Sequence, residues 1–203
     1  LKRVTIPNCV TLIGNFAFYG CSSLTNITIP STVTSIGNYA FSSCSQLCDL
    51  FITNIKSWCR VQFGNSSSNP LYHAKNLYLN GELVIRLTIP EGVTSINNYA
   101  FYGYNSLESI IIPKSVLSIG HSAFYGCKNL TDISCESENP PSIVSNASSA
   151  SFNVDKSLCM LYVPETSIQS YQSADGWQEF SNILPLKEII ASGMCGEKLT
   201  WEF

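Results

Sequence analysis

Four stretches of this chain are near-copies of one another. They read IPNCVTLIGNFAFYGCSSL (6–24), IPSTVTSIGNYAFSSCSQL (29–47), IPEGVTSINNYAFYGYNSL (89–107) and IPKSVLSIGHSAFYGCKNL (112–130). The first two, and again the last two, are offset by 23 residues. A unit this short cannot enclose its own apolar face. Stacking on copies of itself is the remaining way to bury it, and stacking yields an elongated solenoid with no central pocket.

The internal pattern of a unit predicts its path. In LxxIxIP the apolar residues alternate: Leu24, Ile27 and Ile29 point inward and Thr28 outward, as in a short strand. Pro30, Pro90 and Pro113 end that strand, because proline brings no N–H to a ladder. Val33, Val93 and Val116 pack inward at the turn, followed by Ile36, Ile96 and Ile119. Gly14, Gly37, Asn97 and Gly120 share the next position, and a Gly/Asn exchange predicts a positive φ there. Ala17-Phe18, Ala40-Phe41, Ala100-Phe101 and Ala123-Phe124 close the units. Stacking predicts a continuous phenylalanine spine on the convex side.

The chain has nine cysteines, an odd number for a disulfide scaffold. Cys21, Cys44 and Cys127 recur at one repeat position, where Tyr104 replaces them in a fourth unit, and Cys135 ends a strand. They read as small buried hydrophobes. The alternative is a Cys21–Cys44 bridge, since neighbouring rungs lie ~4.8 Å apart. Cys48 and Cys59 have no assigned place. No Cys/His spacing resembles a zinc site, and no metal or other cofactor is expected.

The period breaks twice. Residues 53–83 read as an irregular insertion: a short helix or turn near Trp58, a Ser-rich loop at 64–69, and a hairpin around Asn80-Gly81. Residues 136–157, rich in Ser, Asn and Pro, read as a surface loop. Leu158, Leu161 and Val163 restore the strand. Residues 167–180 suggest a helix ending near Asp175-Gly176, with Trp177 and Phe180 covering the last rung. The expected organisation is a solenoid over 1–186, with a C-terminal cap at about 165–186. A following module starts at 187–203. Leu1 falls inside a repeat, so the chain reads as part of something longer.

Composition narrows the function. Charged residues make up only 12 % and the formal charge is −3. Without clustered Lys and Arg, nucleic acid is not an expected partner. No apolar run is long enough to span a bilayer, so direct membrane insertion is not expected. There is no GxSxG, phosphate loop or HExxH. Of the two histidines, His121 sits where other units carry Asn15, Asn38 and Asn98, and reads as a turn residue. The catalytic alternatives are a Cys59/His73 hydrolase pair, with no acid at motif spacing, and a glycosidase-type carboxylate pair brought together only in space, since the acidic residues are scattered along the chain. The chain is read as non-enzymatic.

The run I-P-x-x-V-x-x-I-G-x-x-A-F-x-x-C-x-x-L resembles the BspA-like branch of the leucine-rich repeat proteins. Trp58-Cys59, SNPLY (68–72), NLYLNG (76–81) and LYVPETSIQSYQSADGWQEF (161–180) resemble variant repeats of the same proteins. The tail ASGMCGEKLTWEF (191–203) resembles the opening of a further domain. The resemblance implies a strand-dominated α/β horseshoe with one parallel strand per rung on a concave face. It also implies a cell-surface or secreted setting in host-associated microbes. The implied role is adhesion to host or microbial surface proteins or glycans, with no catalytic residues to carry over.

Ligand would meet the outward side chains of the strands. Aligning the units gives one row of Thr5, Thr28, Phe51, Thr88, Ile111, Ser134 and Tyr162. A second holds Arg3, Asn26, Asp49, Arg86, Ser109, Asp132 and Met160. Phe51, Ile111 and Tyr162 depart from the Thr-like norm and are the expected anchors. The runner-up reading is a passive spacer that holds other domains away from a surface.

Overall fold

The computed structural model describes residues 2–144 and 151–186 of the 203. The expected module start at 187–203 lies outside the described residues. The first block holds β1 (Arg3–Thr5), β2 (Leu12–Ile13), β3 (Asn26–Ile29), β4 (Ser35–Ile36), β5 (Asp49–Ile52), α1 (Ile55–Cys59), β6 (Gln62–Phe63), β7 (Asn76–Leu79) and β8 (Glu82–Leu83). The second holds β9 (Arg86–Thr88), β10 (Ser95–Ile96), β11 (Ser109–Ile112), β12 (Ser118–Ile119), β13 (Asp132–Cys135), β14 (Ser142–Ile143), β15 (Met160–Val163), α2 (Ile168–Ser173) and β16 (Asn182–Pro185). A regular rung thus gives one longer strand to a main sheet and a two-residue strand to a second sheet, whereas β7 turns into a hairpin and β15 leads into α2.

The main sheets run β1-β3-β5-β7-β8 and β9-β11-β13-β15-β16, and all their pairings are parallel except the β7–β8 hairpin. The second-side sheets are β2-β4-β6 and β10-β12-β14. Ile27 and Ile29 are buried and Thr28 is half-exposed, so the alternation holds. The third side of each rung is a turn that also bonds to its neighbour. Phe18 N–H donates to the Ala40 carbonyl (2.8 Å), Phe101 to Ala123 (2.8 Å) and Gly103 to Tyr125 (2.7 Å). Backbone groups on all three sides are therefore met by the next rung, which buried polar atoms require.

The shared glycine position does not have the positive φ expected of it. The left-handed residues come two positions later: Phe16, Tyr39, Tyr99 and Ser122, with φ of 52–62°. Glycine is needed for close approach instead. A Cβ on Gly37 would lie 2.4 Å from Asn15 Oδ1 and 2.6 Å from its backbone N. On Gly120 it would lie 2.5 Å from Asn98 N and 2.6 Å from its Oδ1. Those asparagines accept from the rung above, from Asn38 N–H (2.7 Å) and His121 N–H (2.8 Å). Asn97 is tolerated because α1 and its exit lie beside it. Its N–H donates to Cys59 O (2.8 Å) and its side-chain amide to Arg60 O (2.8 Å).

The first break in the period is a rung in its own right. Asn54 caps α1 by accepting from Ser57 N–H (2.8 Å). Phe63 then pairs with Ile36, and Gly64 N–H donates to Ile36 O (2.9 Å). The Ser-rich stretch expected as a loop is a 3-10 turn at Ser66–Ser68, with Ser68 and Asn69 buried. It was not legible because serines occupy the positions held elsewhere by Ala and Phe. The Asn80-Gly81 hairpin forms, with Tyr78 opposite Leu83.

The segment expected as a surface loop at 136–157 is also partly core. Ser142–Ile143 forms β14, and Phe152 stacks on Phe124 at 5.0 Å. Leu158, expected in the strand, is 70 % exposed, and Cys159 is buried in its stead. The phenylalanine spine is two stacks. One is Phe18–Phe41 (5.0 Å), the other Phe101–Phe124–Phe152 (5.3 and 5.0 Å). Between them Trp58 Nε1 donates to Ala100 O (2.8 Å), and Asn69 Nδ2 donates to Tyr99 O and Ala100 O (2.6 and 3.0 Å). Trp177 and Phe180 close the far end against Phe152 (5.6 and 6.1 Å), after α2 ends at Ser173.

Gly37→Ala is expected to cost about 1–3 kcal/mol by overpacking. Gly14→Ala, where a Cβ meets nothing within 4 Å, should stay within about 0.5 kcal/mol of neutral. Phe124→Ala should cost roughly 3–5 kcal/mol. Urea unfolding of the three variants checks all of these, and equal losses for the two glycine variants would contradict the close-approach account.

Candidate functional site

The outward positions of the main sheet form registered rows, and the hairpin divides them. In the first block the ladder pairs Thr5, Thr28, Phe51 and Tyr78. In the second it pairs Thr88, Ile111, Ser134, Tyr162 and Leu184. The adjacent rows are Arg3, Asn26, Asp49 and Asn76, then Arg86, Ser109, Asp132, Met160 and Asn182. Every residue expected on this face lies on it. Thr88 and Arg86 are not the ladder neighbours of Phe51 and Asp49, because β7 and β8 intervene.

Sequence alignment of the units missed Asn76, Tyr78, Asn182 and Leu184. Tyr78 lies 27 residues after Phe51, off the 23-residue grid, and its segment reads first as a hairpin. The alternation in NLYL was the available signal, since it places Leu77 inward and Tyr78 outward. Phe51 and Tyr78 stack with centroids 4.7 Å apart and planes 14° from parallel. Both are half-buried, so part of each ring faces solvent.

Polar groups lie beside this pair and along the second block of the face. Asn76 Nδ2 donates to Asp49 Oδ1 (2.8 Å). Thr131 Oγ1 donates to Asp132 Oδ2 (2.7 Å). Arg3 and Arg86 are exposed at the first strand of each block. Burial and the neighbouring Asp132 carboxylate push the Tyr162 hydroxyl above its ordinary range. The face can therefore make hydrogen bonds of both polarities around an aromatic centre.

Five of the eight described cysteines lie inside the solenoid. Burial raises the thiols of Cys44 and Cys135 to about 11, and those of Cys59, Cys127 and Cys159 to about 12. The eight described cysteines are free, so the Cys21–Cys44 bridge is not formed. The Cys44 and Cys127 thiols instead donate to the carbonyls of Phe18 (3.1 Å) and Phe101 (3.3 Å). Tyr104 replaces this cysteine next to the hairpin. Its hydroxyl donates to the Val84 carbonyl and accepts from Leu77 N–H (3.3 Å). Burial lowers the His73 pKa below the ordinary imidazole value. A buried Cys59 thiol gives that imidazole no thiolate partner. Among the described residues no three His, Cys, Asp or Glu side chains cluster as metal ligands would. A cavity of about 10 Å³ between β3, β5 and α1, room for about one water, is lined by Ile29, Val33, Asn54 and Trp58.

The family model for the BspA type leucine-rich repeat region matches residues 1–82 and 73–195, in six copies. The chain belongs to the BspA-type leucine-rich repeat family. Its parallel rungs are the solenoid that this repeat builds. Solved structures similar to this BspA-type chain include a leucine-rich repeat protein of T. pallidum, with 23 % identity over 66 % of this chain and 58 % of that one, TM-score 0.41. A leucine-rich cell surface protein of Faecalibacterium prausnitzii A2-165 has 22 % identity over 83 % and 65 %, TM-score 0.37. A leucine-rich repeat protein of Bacteroides ovatus has 22 % identity over 92 % and 61 %, TM-score 0.26. The chain thus spans less than two thirds of the length of each. No curated protein matches the chain in sequence. No helix among the described residues is long and apolar enough to cross a membrane.

Alkylation at mildly alkaline pH, followed by peptide mapping, is expected to label exposed Cys9 in the native protein. Cys59 and Cys127 should react only after unfolding. Native labelling of Cys59 at the rate of Cys9 would show that its site opens.

Proposed function

We propose that this chain is a non-enzymatic binding module of a cell-surface or secreted protein. It holds a protein or glycan partner, on a host or neighbouring microbial surface, against the long-strand face. The stacked, half-exposed Phe51–Tyr78 pair carries the reading. Aromatic pairs across a ladder also stabilise a sheet. This pair, however, leaves apolar surface facing solvent in rows otherwise built largely from Thr, Ser, Asn and Asp. Aromatic anchors encircled by hydrogen-bonding groups are the usual centre of a recognition surface. Ile111 and Tyr162 extend it into the second block. Family membership supports the surface setting, and the low charge argues for partners recognised by contact and hydrogen bonds.

The test is surface plasmon resonance of the purified chain over immobilised extracellular-matrix proteins and glycans. A Phe51→Ser/Tyr78→Ser/Tyr162→Ser variant serves as the control. Saturable binding is expected, weakened at least tenfold, or ~1.4 kcal/mol, in the variant with its circular dichroism spectrum unchanged. Equal affinity in the variant would remove the strand face as the site. Absence of binding to any partner would favour the spacer role.

A further inference from the structure

A second exposed aromatic surface lies on the turn side of the rungs, away from the strand face. In the first block Phe16, Tyr19 and Tyr39 are 55 %, 56 % and 45 % exposed. Phe16 stacks on Tyr39 (5.4 Å, 16°) and meets Tyr19 edge-on (5.7 Å). Across the junction, Tyr102 of the second block lies between Tyr72 of the first (5.9 Å, 24°) and Tyr125 (5.3 Å, 11°). Tyr72 is 48 % exposed, and Tyr99 meets Tyr102 edge-on at 5.9 Å. His73 and His121 complete the cluster through edge contacts to Tyr72 and Tyr99.

Two observations set these rings apart from packing. Phe16, Tyr39 and Tyr99 hold a left-handed backbone (φ 58°, 58° and 62°), where a bulky side chain is disfavoured and Asn or Gly is at ease. Folding therefore does not favour an aromatic residue at that position, and backbone strain of this kind concentrates at functional sites. The turn side is also poor in charge, with exposed Lys75 and Lys128 at the ends of its uncharged runs. Residues 4–48 contain no Asp, Glu, Lys or Arg, nor do 61–74, 92–107 or 115–127. An exposed surface ordinarily carries about a quarter to a third charged residues.

We propose that this ridge binds a neutral polysaccharide chain. Uncharged rings flanked by Ser and Asn match a ligand that has hydroxyls and C–H faces and no ionic groups. Equivalent rings recur on successive rungs at 5.3–5.4 Å in the stacked pairs, so a repeating ligand meets like contacts at each step. A narrow row suits a chain-like ligand. A protein partner covers ~800 Å² per side, a broader patch than one row of rings.

The experiment is native affinity electrophoresis of the whole chain in gels holding soluble glucomannan, xyloglucan, β-1,3-glucan or, for contrast, anionic heparin. Retardation by at least one neutral polysaccharide is expected. It should weaken at least tenfold in Phe16→Asn/Tyr39→Asn/Tyr99→Asn, whose Tm should be unchanged or higher, and persist in Phe51→Ser/Tyr78→Ser. Tyr19→Ser/Tyr72→Ser, outside the left-handed positions, supplies an independent loss. Retardation by heparin alone, by no polysaccharide, or equally in both ridge variants would overturn the proposal. So would loss of a protein ligand in the ridge variants without loss of polysaccharide.

Discussion

The structure depends on one constraint: every rung must present its backbone N–H and C=O groups in register with the next. A buried group left unmet costs about 1–3 kcal/mol, and a rung has such groups on all three sides. The 23-residue repeat is the simplest answer, since identical units supply identical partners. It also brings neighbouring backbones so close that Gly37 and Gly120 have no room for a Cβ beneath Asn15 and Asn98.

Where the period fails, side chains take over. Asn69 and the Trp58 indole donate to the Ala100 carbonyl, whose counterparts Ala40 and Ala123 accept from the backbone of Phe18 and Phe101. Asn97 bonds back to Arg60 and Tyr104 bridges Leu77 and Val84. These residues join two strand blocks that share no ladder pair. Their polar groups are part of the core, which remains one continuous cluster across the junction.

With the core consumed by stacking, what is left for recognition is surface. The strand face offers Phe51–Tyr78 among hydrogen-bonding side chains, and the turn side offers uncharged rings. The buried thiols serve packing, and those of Cys44 and Cys127 bond to carbonyls of the preceding rung.

The sequence by itself determined the repeat, the inward ladder of Leu24, Ile27 and Ile29, the turns at Pro30, Pro90 and Pro113, and the residues that the regular units place on the strand face. Periodicity encodes those, because each unit faces the same neighbours. Only the tertiary structure decided what depends on a neighbour of different sequence. Serines at 66–68 stand in for an aromatic turn, Phe152 extends the stack from within an apparent loop, and Tyr78 rather than Thr88 lies beside Phe51. The glycine position shows the same division. Its Gly/Asn exchange suggested backbone conformation, whereas the cause is the distance to the adjacent rung, a quantity that no single unit contains.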